Sequence, residues 1–424
     1  MPSPRRAAAD LLSLVLDHGR TLDDALAQAQ SFAALEGRDR AFARAIVSAS
    51  LRRLGAIDAV LSRFLQKPLP ETAHLARALA RTAAAQLLVL GAPAHAVVSE
   101  TVTLANADRK AAGFARLLNA VLRKVAAEGP GIAAALPPGA DLPSWLFTRW
   151  RAAYGHAAAA AIARGLMAEP PLDVSVKADA DLWAERLGAE VLPTGALRLP
   201  ADAPPVPRLP GYAEGAWWVQ DAAAALPALL LGDVAGADVL DLCAAPGGKT
   251  MQLAAASARV TALDSDADRL ARLRENLDRT GLSATLVCAD ATQWAPGRTF
   301  DAVLLDAPCT ATGTLRRHPD IAWLRRPTDI AKLAALQTRL LAAAARLTKP
   351  GGLCVYAVCS LEPEEGPGVV AAALGSGAWA RDARAAGASP PAFRTADGDL
   401  RTTPGAWPER GGLDGFYAAA LRRL

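Results

Sequence analysis

Four aspartates stand at the ends of four short apolar runs in the second half of this 424-residue chain. The runs span residues 239–242, 260–264, 285–290 and 301–306, and their aspartates are Asp241, Asp264, Asp290 and Asp306. Segments with helical spacing alternate with these runs, an order typical of a parallel sheet covered by helices. Ligands of open parallel sheets bind outside the carboxyl ends of the strands, so we expect all these carboxylates to converge on one site.

A glycine-bearing turn, Cys243-Ala244-Ala245-Pro246-Gly247-Gly248-Lys249, follows the first run. Glycines permit a tight bend there, and a ligand then reaches the backbone N–H groups that begin the next helix. The turn lacks the glycine spacing of dinucleotide-binding and phosphate-binding loops, which argues against NAD and ATP. S-adenosylmethionine, a ligand with its own carboxylate and ribose, fits better, with Asp264 accepting the ribose hydroxyls. The alternative is that the aspartates only cap helices, as single aspartates often do.

Two cysteines lie at the same predicted edge of the sheet. Cys309 closes the sequence Asp-Ala-Pro-Cys that starts at Asp306, and Cys359 follows the apolar run 353–358. A thiolate is the nucleophilic form of cysteine, and nearby cations lower the thiol pKa. The cations that we expect to do so are Lys249, Arg316 and Arg317. The pattern indicates covalent chemistry on a bound substrate.

The other cysteines indicate neither a disulfide framework nor a metal site. The chain has five cysteines without Cys-x-x-Cys spacing, which fits a reducing cytoplasm and no zinc. Cys354 and Cys288 are interpreted as small buried apolar side chains, and Cys243 as part of the ligand-binding turn. The longest apolar stretch near the middle, 222–231, is too short for a membrane span, and early acidic residues argue against a signal peptide.

Positive charge is concentrated in the N-terminal part. Residues 1–130 contain 17 Lys and Arg against 11 Asp and Glu, a balance of +6, whereas the whole chain carries only +4. An RNA-binding surface explains this bias, and a solvated helix face is the alternative.

The spacing of apolar residues predicts three parts. Residues 5–127 show helical spacing only, with breaks near Gly37, 68–70 and 91–93, which predicts an all-α domain over 1–130. A Gly/Pro-rich stretch at 129–139 is typical of a linker, and 131–216 is predicted to comprise this linker and a small α/β subdomain. Residues 217–424 are predicted to form an α/β Rossmann-like domain.

Within residues 217–424 the sequence closely resembles the RNA (cytosine-5)-methyltransferases, in particular the RsmB (Sun, Fmu) subgroup, which modifies small-subunit ribosomal RNA. The similar blocks, in order, are VQD (219–221), DLCAAPGGKT (241–250), DAPCTATG (306–313), RRHPD (316–320), CSLEPE (359–364) and DGFY (414–417). The N-terminal blocks DRAF (39–42), PAHA (93–96) and NAVLR (119–123) resemble the helical RNA-binding protein NusB. The resemblance implies an all-α NusB-like domain joined to an S-adenosylmethionine-dependent methyltransferase domain.

The resemblance also implies roles for single residues. Residues 243–249, Asp264, Asp290 and Asp306 would hold the cofactor, with Asp264 on the ribose and Asp290 near the adenine. Cys359 would attack C6 of the cytosine, and Cys309 would serve release of the product. Asp306 and Lys249 would position the base. The family usually has Thr before the nucleophile, whereas this chain has Val358.

The implied substrate is 16S rRNA, unassembled or in a partly assembled small subunit, and we expect a monomer. Three alternatives remain. An antitermination or ribosome-assembly factor without catalysis would act through the helical domain, and a related enzyme would methylate another RNA. A DNA cytosine methyltransferase would use the Pro-Cys thiol as nucleophile, leaving Cys359 unexplained.

Overall fold

The computed structural model describes residues 3–384 and 390–424. The chain forms two compact units. The helical unit comprises residues 1–168 and 315–326, and the sheet unit comprises 169–314 and 327–424. No helix among the described residues is long and apolar enough to cross a membrane.

Both units contain helices. In chain order they are α1 Pro4–Leu16, α2 Leu22–Gln28, α3 Gln30–Ala33, α4 Gly37–Arg52, α5 Leu54–Phe64, α6 His74–Leu88, α7 Ala94–Asn106, α8 Ala115–Ala134, α9 Ser144–Met167, α10 Ala180–Leu187, α11 Ala222–Leu229, α12 Gly248–Ala255, α13 Ala267–Thr280, α14 Ile321–Leu324, α15 Pro327–Leu347 and α16 Pro367–Gly375. Helices α1–α9 and α14 belong to the helical unit.

The helical unit packs its helices around an alanine- and leucine-rich core, and its first two helices have side-chain caps. The hydroxyl of Ser3 accepts the Arg6 N–H at the start of α1, and that of Thr21 caps α2. Such caps satisfy N–H groups that the first helical turn leaves unpaired. The core of α5–α8 contains Leu79 and Leu122, both almost fully buried.

Residues 315–326 form an insertion that packs within the helical unit, although it is distant in sequence from the other residues of that unit. The indole N–H of Trp323 donates to the Leu51 carbonyl at 2.9 Å, and the Leu22 N–H donates to Asp320 Oδ2 at 3.0 Å. The block RRHPD therefore belongs structurally to the helical unit, although it lies in the range predicted for the α/β domain.

The predicted linker at 129–139 differs from the structure. Helix α8 continues to Ala134 even though Pro130 lies inside it. Gly129 is buried, and a Cβ there would lie 2.8 Å from a methyl carbon of Leu88, so the glycine serves close helix packing. Helix α9 also belongs to the helical unit. The α/β part of the predicted middle segment begins only at residue 169.

The strands form two sheets in the sheet unit. They are β1 Asp173–Val176, β2 Glu190–Val191, β3 Leu197–Arg198, β4 Trp217–Val219, β5 Asp238–Leu242, β6 Arg259–Asp264, β7 Thr285–Cys288, β8 Phe300–Asp306, β9 Thr348–Val358, β10 Trp379–Arg381, β11 Leu400–Arg401 and β12 Tyr417–Arg423. The small sheet is antiparallel with order β2-β3-β1-β4.

The large sheet has the order β10-β12-β9-β8-β5-β6-β7, with β11 paired to β12. Strands β7, β6, β5, β8 and β9 are parallel, and β12 runs antiparallel to β9. Because the chain proceeds outward from β5 in one direction and then returns to β8 on its other side, the order reverses between β5 and β8. A ligand crevice is expected at such a switch point, at the carboxyl ends of the strands.

Candidate functional site

The turn 243–249 leaves the end of β5 and enters α12. Gly247 has φ +104°, and a Cβ there would lie 2.8 Å from the Cγ atom of Leu273. Both the backbone conformation and this contact therefore require glycine. Helix α12 begins directly afterwards at Gly248, and the first N–H groups of a helix have no intrahelical partners. The turn thus presents hydrogen-bond donors at the edge of the sheet, as the sequence predicted.

Asp264 ends β6 and is buried beside this turn. Its Oδ2 accepts the Ala245 N–H at 3.1 Å, and its Oδ1 accepts the Asp266 N–H at 3.1 Å. Arg269 approaches Oδ2 at 3.4 Å and also donates to the Ala245 carbonyl. Each carboxylate oxygen has a second lone pair. The side chain therefore fixes the turn and can still accept from a ligand.

Asp241 lies beneath the turn and is completely buried. The hydroxyl of Thr250 donates to its Oδ2 at 2.6 Å, whereas its Oδ1 accepts no hydrogen bond from the described residues. Burial raises the pKa of Asp241 to about 7, and the charge of Asp306 adds to this increase. A buried polar atom without a partner is costly, so this oxygen favours a donor supplied by a ligand.

Lys249 and Asp306 form an ion pair across the site. Lys249 Nζ lies 2.7 Å from Asp306 Oδ2, with the lysine side chain 9% exposed and the aspartate 32% exposed. The ring of Phe416 lies 5.2 Å from the same ammonium nitrogen. The exposed part of Asp306 remains available to a ligand or base.

Asp290 lies in the loop after β7, at the outer end of the site. The register pairs Asp264 with Cys288, so this loop begins beside the end of β6. The hydroxyl and backbone N–H of Thr292 donate to Asp290 Oδ1 at 2.7 and 2.8 Å. The hydroxyl bond, followed by the backbone one, holds the pKa of this exposed carboxyl below its ordinary value.

Cys309 and Cys359 meet at the ends of β8 and β9. Their sulfur atoms lie 3.4 Å apart, with Cys309 buried and Cys359 partly exposed. The parallel pairing of Asp306 with Ala357 brings the two loops together. The hydrogen bond with Cys359, together with burial, raises the pKa of the Cys309 thiol well above its ordinary value. Cys309 therefore keeps its proton at neutral pH.

The predicted cationic activation of Cys309 is wrong. Its pKa is raised rather than lowered, because the neighbouring groups are a thiol, apolar side chains and the Glu365 carboxylate. Lys249 is paired with Asp306.

The remaining cysteines differ in their surroundings. Cys288 is exposed, so its interpretation as a buried apolar side chain is also wrong, since strand β7 lies at the sheet edge. Cys354 is buried as predicted, and burial raises its pKa. Burial followed by the charge of Asp264 raises the pKa of Cys243 to about 12, which disfavours its thiolate form.

Sequence reasoning missed the buried Glu365. Its carboxylate accepts hydrogen bonds from Thr310, Gln337 and Ser360. An available signal was the acidic cluster 362–365, which begins three positions after Cys359, because acidic side chains are rarely buried unless they are paired. Val358, which replaces the family Thr, is fully buried in the core and pairs with Tyr417.

Comparisons with known proteins agree with this architecture. The family described as 16S rRNA methyltransferase RsmB/F matches residues 228–422, and the NusB family matches residues 2–127. The chain is similar to ribosomal RNA small subunit methyltransferase B of Vibrio cholerae, with 38% identity covering 99% of this chain and 97% of that protein. The corresponding protein of Xanthomonas campestris is 42% identical over 85% of each chain.

The fold as a whole also has a solved counterpart. The crystal structure of PH0851 matches with a TM-score of 0.74 and 24% identity, covering 99% of this chain and 98% of the other. At that identity the likeness shows the fold alone. The full-length relatives also show the family. The chain belongs to the RsmB family of S-adenosylmethionine-dependent 16S rRNA cytosine methyltransferases, which carry an N-terminal NusB domain.

Proposed function

We propose that this protein methylates C5 of one specific cytosine in 16S rRNA, with Cys359 as the nucleophile and Cys309 as the thiol that serves product release. The observation that carries this proposal is the 3.4 Å separation of the two sulfur atoms beside the Lys249–Asp306 pair. A single-cysteine mechanism leaves the second thiol unexplained.

The residues at the switch point fit S-adenosylmethionine. Gly247 keeps the turn open where any Cβ would collide with Leu273, and the buried Asp241 Oδ1 lacks a donor among the described residues. A ligand with an ammonium group, a carboxylate and a ribose supplies what these groups lack. Residues 243–249, Asp264, Asp290 and Asp306 would hold it, with Asp264 toward the ribose and Asp290 toward the adenine. When bound, this cofactor supplies an electrophilic methyl group.

Cytosine C5 is too weak a nucleophile to accept a methyl group unaided. A covalent bond from the Cys359 sulfur to C6 moves the electron pair of the C5–C6 double bond onto C5 and makes C5 reactive. Cys359 would make this attack as a thiolate, the nucleophilic form of cysteine, with the Cys309 thiol 3.4 Å from its sulfur atom. The S–H of Cys309 then stabilises that charge as a hydrogen-bond donor.

Release reverses the covalent step. The C5 proton passes to a water molecule acting as base, its electron pair restores the C5–C6 double bond, and the bond from C6 to the Cys359 sulfur breaks with the pair returning to sulfur. Cys309 lies next to that sulfur and serves this stage. Lys249 and Asp306 hold the base edge, with the partly exposed Asp306 oxygen as acceptor. The target nucleotide has to leave its stack, which costs a few kcal/mol and least in single-stranded or looped RNA.

The substrate would be 16S rRNA before or during assembly of the small subunit, in the cytoplasm, and the protein would act as a monomer. The support for early action is the need for an unstacked cytosine. The helical domain 1–130, with its charge balance of +6, would bind the RNA.

Bisulfite sequencing of 16S rRNA tests the function. A strain lacking the gene should lose one methylated cytosine, expression of the wild-type protein should restore it, and expression of Cys359→Ser should not. Methylation that persists in the deletion strain, or appears with Cys359→Ser, would contradict the proposal. Comparison of free rRNA with purified small subunits as substrates in vitro distinguishes the two assembly stages.

A further inference from the structure

The carboxylate of Glu365 is fully buried near the two thiols. Its Oε1 accepts the Thr310 backbone N–H at 2.9 Å and the Gln337 side-chain N–H at 3.0 Å. Its Oε2 accepts the Ser360 hydroxyl at 2.5 Å and the Thr310 hydroxyl. Gln337 lies on α15, so the carboxylate is anchored to a long helix of the sheet unit.

These contacts join the two loops that carry the cysteines. Thr310 directly follows Cys309, and Ser360 directly follows Cys359. One carboxylate therefore holds the residue after each thiol. Backbone contacts join the same loops, since the Gly313 N–H donates to the Cys359 carbonyl at 3.0 Å.

Burial of the Glu365 carboxylate is costly. The donors to this carboxylate are the backbone N–H and hydroxyl of Thr310, the Gln337 amide and the Ser360 hydroxyl, all of them neutral, while the Arg401 guanidinium donates to the Ser360 carbonyl instead. An uncompensated buried charge is expensive, and a neutral amide of the same shape would avoid that cost. A negative charge at this position nevertheless favours the protonated form of the Cys309 thiol. After the hydrogen bond with Cys359 and burial, the charges of Cys359 and Glu365 also raise the pKa of Cys309.

We propose that Glu365 is a positioning residue that sets the approach of Cys309 to Cys359 by holding the residue that follows each thiol. The inference rests on the proposed roles of the two cysteines in the reaction. Glu365 itself does not contact the reacting atoms; it acts through Thr310 and Ser360.

Steady-state kinetics of Glu365→Gln give the first test. The amide keeps the shape but places an N–H against donors, so the loops shift and kcat should fall by about 100-fold. The KM for RNA and the affinity for S-adenosylmethionine should remain within about twofold, because neither binding surface is changed. Glu364→Gln, one residue away and exposed, is the matched control and should retain wild-type kcat. An unchanged kcat in Glu365→Gln would overturn the inference.

A second measurement does not depend on methylation. Diamide oxidises two close thiols to a disulfide and is itself reduced, so its rate reports how well the sulfur atoms approach each other. Peptide mapping by mass spectrometry identifies the Cys309–Cys359 bond. The folded wild-type protein should form it readily, and folded Glu365→Gln should form it about 10-fold more slowly. Equal rates, measured well below the unfolding temperature, would overturn the positioning role even if kcat falls.

The two arms of the network can be separated. Ser360→Ala should slow formation of the covalent RNA adduct, because it frees the residue after the nucleophile. Thr310→Val should slow release and let the adduct accumulate, because it removes the hydroxyl bond to Glu365 and leaves only the backbone bond to hold the residue after Cys309. Identical effects of both variants on the two phases would contradict the inference. If Cys359→Ser and Cys309→Ser retain activity, the proposed function fails, whereas the diamide rates still decide whether Glu365 positions the thiols.

Discussion

The sulfur atoms of Cys309 and Cys359 lie 3.4 Å apart, although 50 positions separate the residues in sequence. The closeness follows from the sheet order, in which β8 and β9 are parallel neighbours and each cysteine lies in the loop after its strand. Two thiols in contact can divide the work of covalent catalysis, with one forming the bond to the base and the other serving its release.

The two thiols should differ sharply when each is replaced. Cys359→Ser should abolish methylation and covalent capture of RNA, because a serine hydroxyl is scarcely ionised at neutral pH and attacks poorly. Cys309→Ser should still form the adduct but release it slowly, which leaves a denaturation-resistant protein–RNA band on a gel. Cys288→Ser, at an exposed thiol, is the control and should behave as wild type. A band with Cys359→Ser and none with Cys309→Ser would reverse the roles.

Asp264→Ala should weaken binding of S-adenosylmethionine. The variant loses the proposed hydrogen bonds to the ribose and also the acceptors for the Ala245 and Asp266 N–H groups. Loss of charge-assisted bonds should cost about 1.5 to 3 kcal/mol of binding free energy. Isothermal calorimetry measures this, with the exposed Asp268→Ala as control. Unchanged affinity in Asp264→Ala would reject the assignment.

Much of this site is predictable from sequence because its residues stand at strand ends. Asp264, Asp306 and the turn 243–249 are local features whose convergence follows from parallel topology alone. The protonation of Cys309 is not local. It depends on a thiol 50 residues away and on burial, which strand patterns do not reveal, and so the expectation of a lowered pKa was wrong.

The domain organisation was likewise predictable from the sequence only where the signal is local. Helical spacing identified the all-α part, yet the insertion 315–326 joins that unit through side chains such as Trp323 and Asp320, whose partners lie in the first 51 residues. Contacts so distant in sequence have no local signal. The Gly/Pro-rich composition at 129–139 was also misleading, because Gly129 permits helix packing rather than a flexible connection.

Gly247→Ala should damage both stability and cofactor binding. The added Cβ meets Leu273 at 2.8 Å, and φ of +104° strains any side-chain-bearing residue, which should cost about 1 to 3 kcal/mol of unfolding free energy. The matched control is Gly281→Ala at the end of α13, where φ is +62° and no atom lies within 4 Å of the new Cβ. That control should lose stability through strain alone and keep its cofactor affinity. Urea denaturation and calorimetry measure the two effects, and equal cofactor affinity in both variants would contradict the role of the turn.

Asp241 should make stability depend on pH. Burial raises its pKa in the folded state to about 7, above the ordinary value of 3.8, so the folded protein keeps a proton that the unfolded chain releases. Stability should therefore fall as pH rises from about 4 to about 7, by at most about 4 kcal/mol. Asp241→Asn should flatten this part of the profile, whereas Asp238→Asn at the start of the same strand should not. Urea unfolding across this pH range measures the effect. An unchanged slope of unfolding free energy against pH in Asp241→Asn would contradict the prediction.

RNA binding by the full-length chain should weaken steeply with salt, because contacts between cations and phosphates release counterions. Helix α8 offers a test, since Arg116 and Arg123 are both exposed and lie seven positions apart, on one face of the helix. If both contact phosphates, each replacement by Ala should reduce the slope of log K against log salt by about 1 without changing the methylated position. Filter binding to 16S rRNA fragments at several salt concentrations measures the slope. Arg186→Ala on α10, in the sheet unit, serves as the control of equal charge change. A slope that stays constant in the α8 variants would remove this face from the RNA interface, and salt-independent binding of the wild-type chain would contradict phosphate recognition altogether.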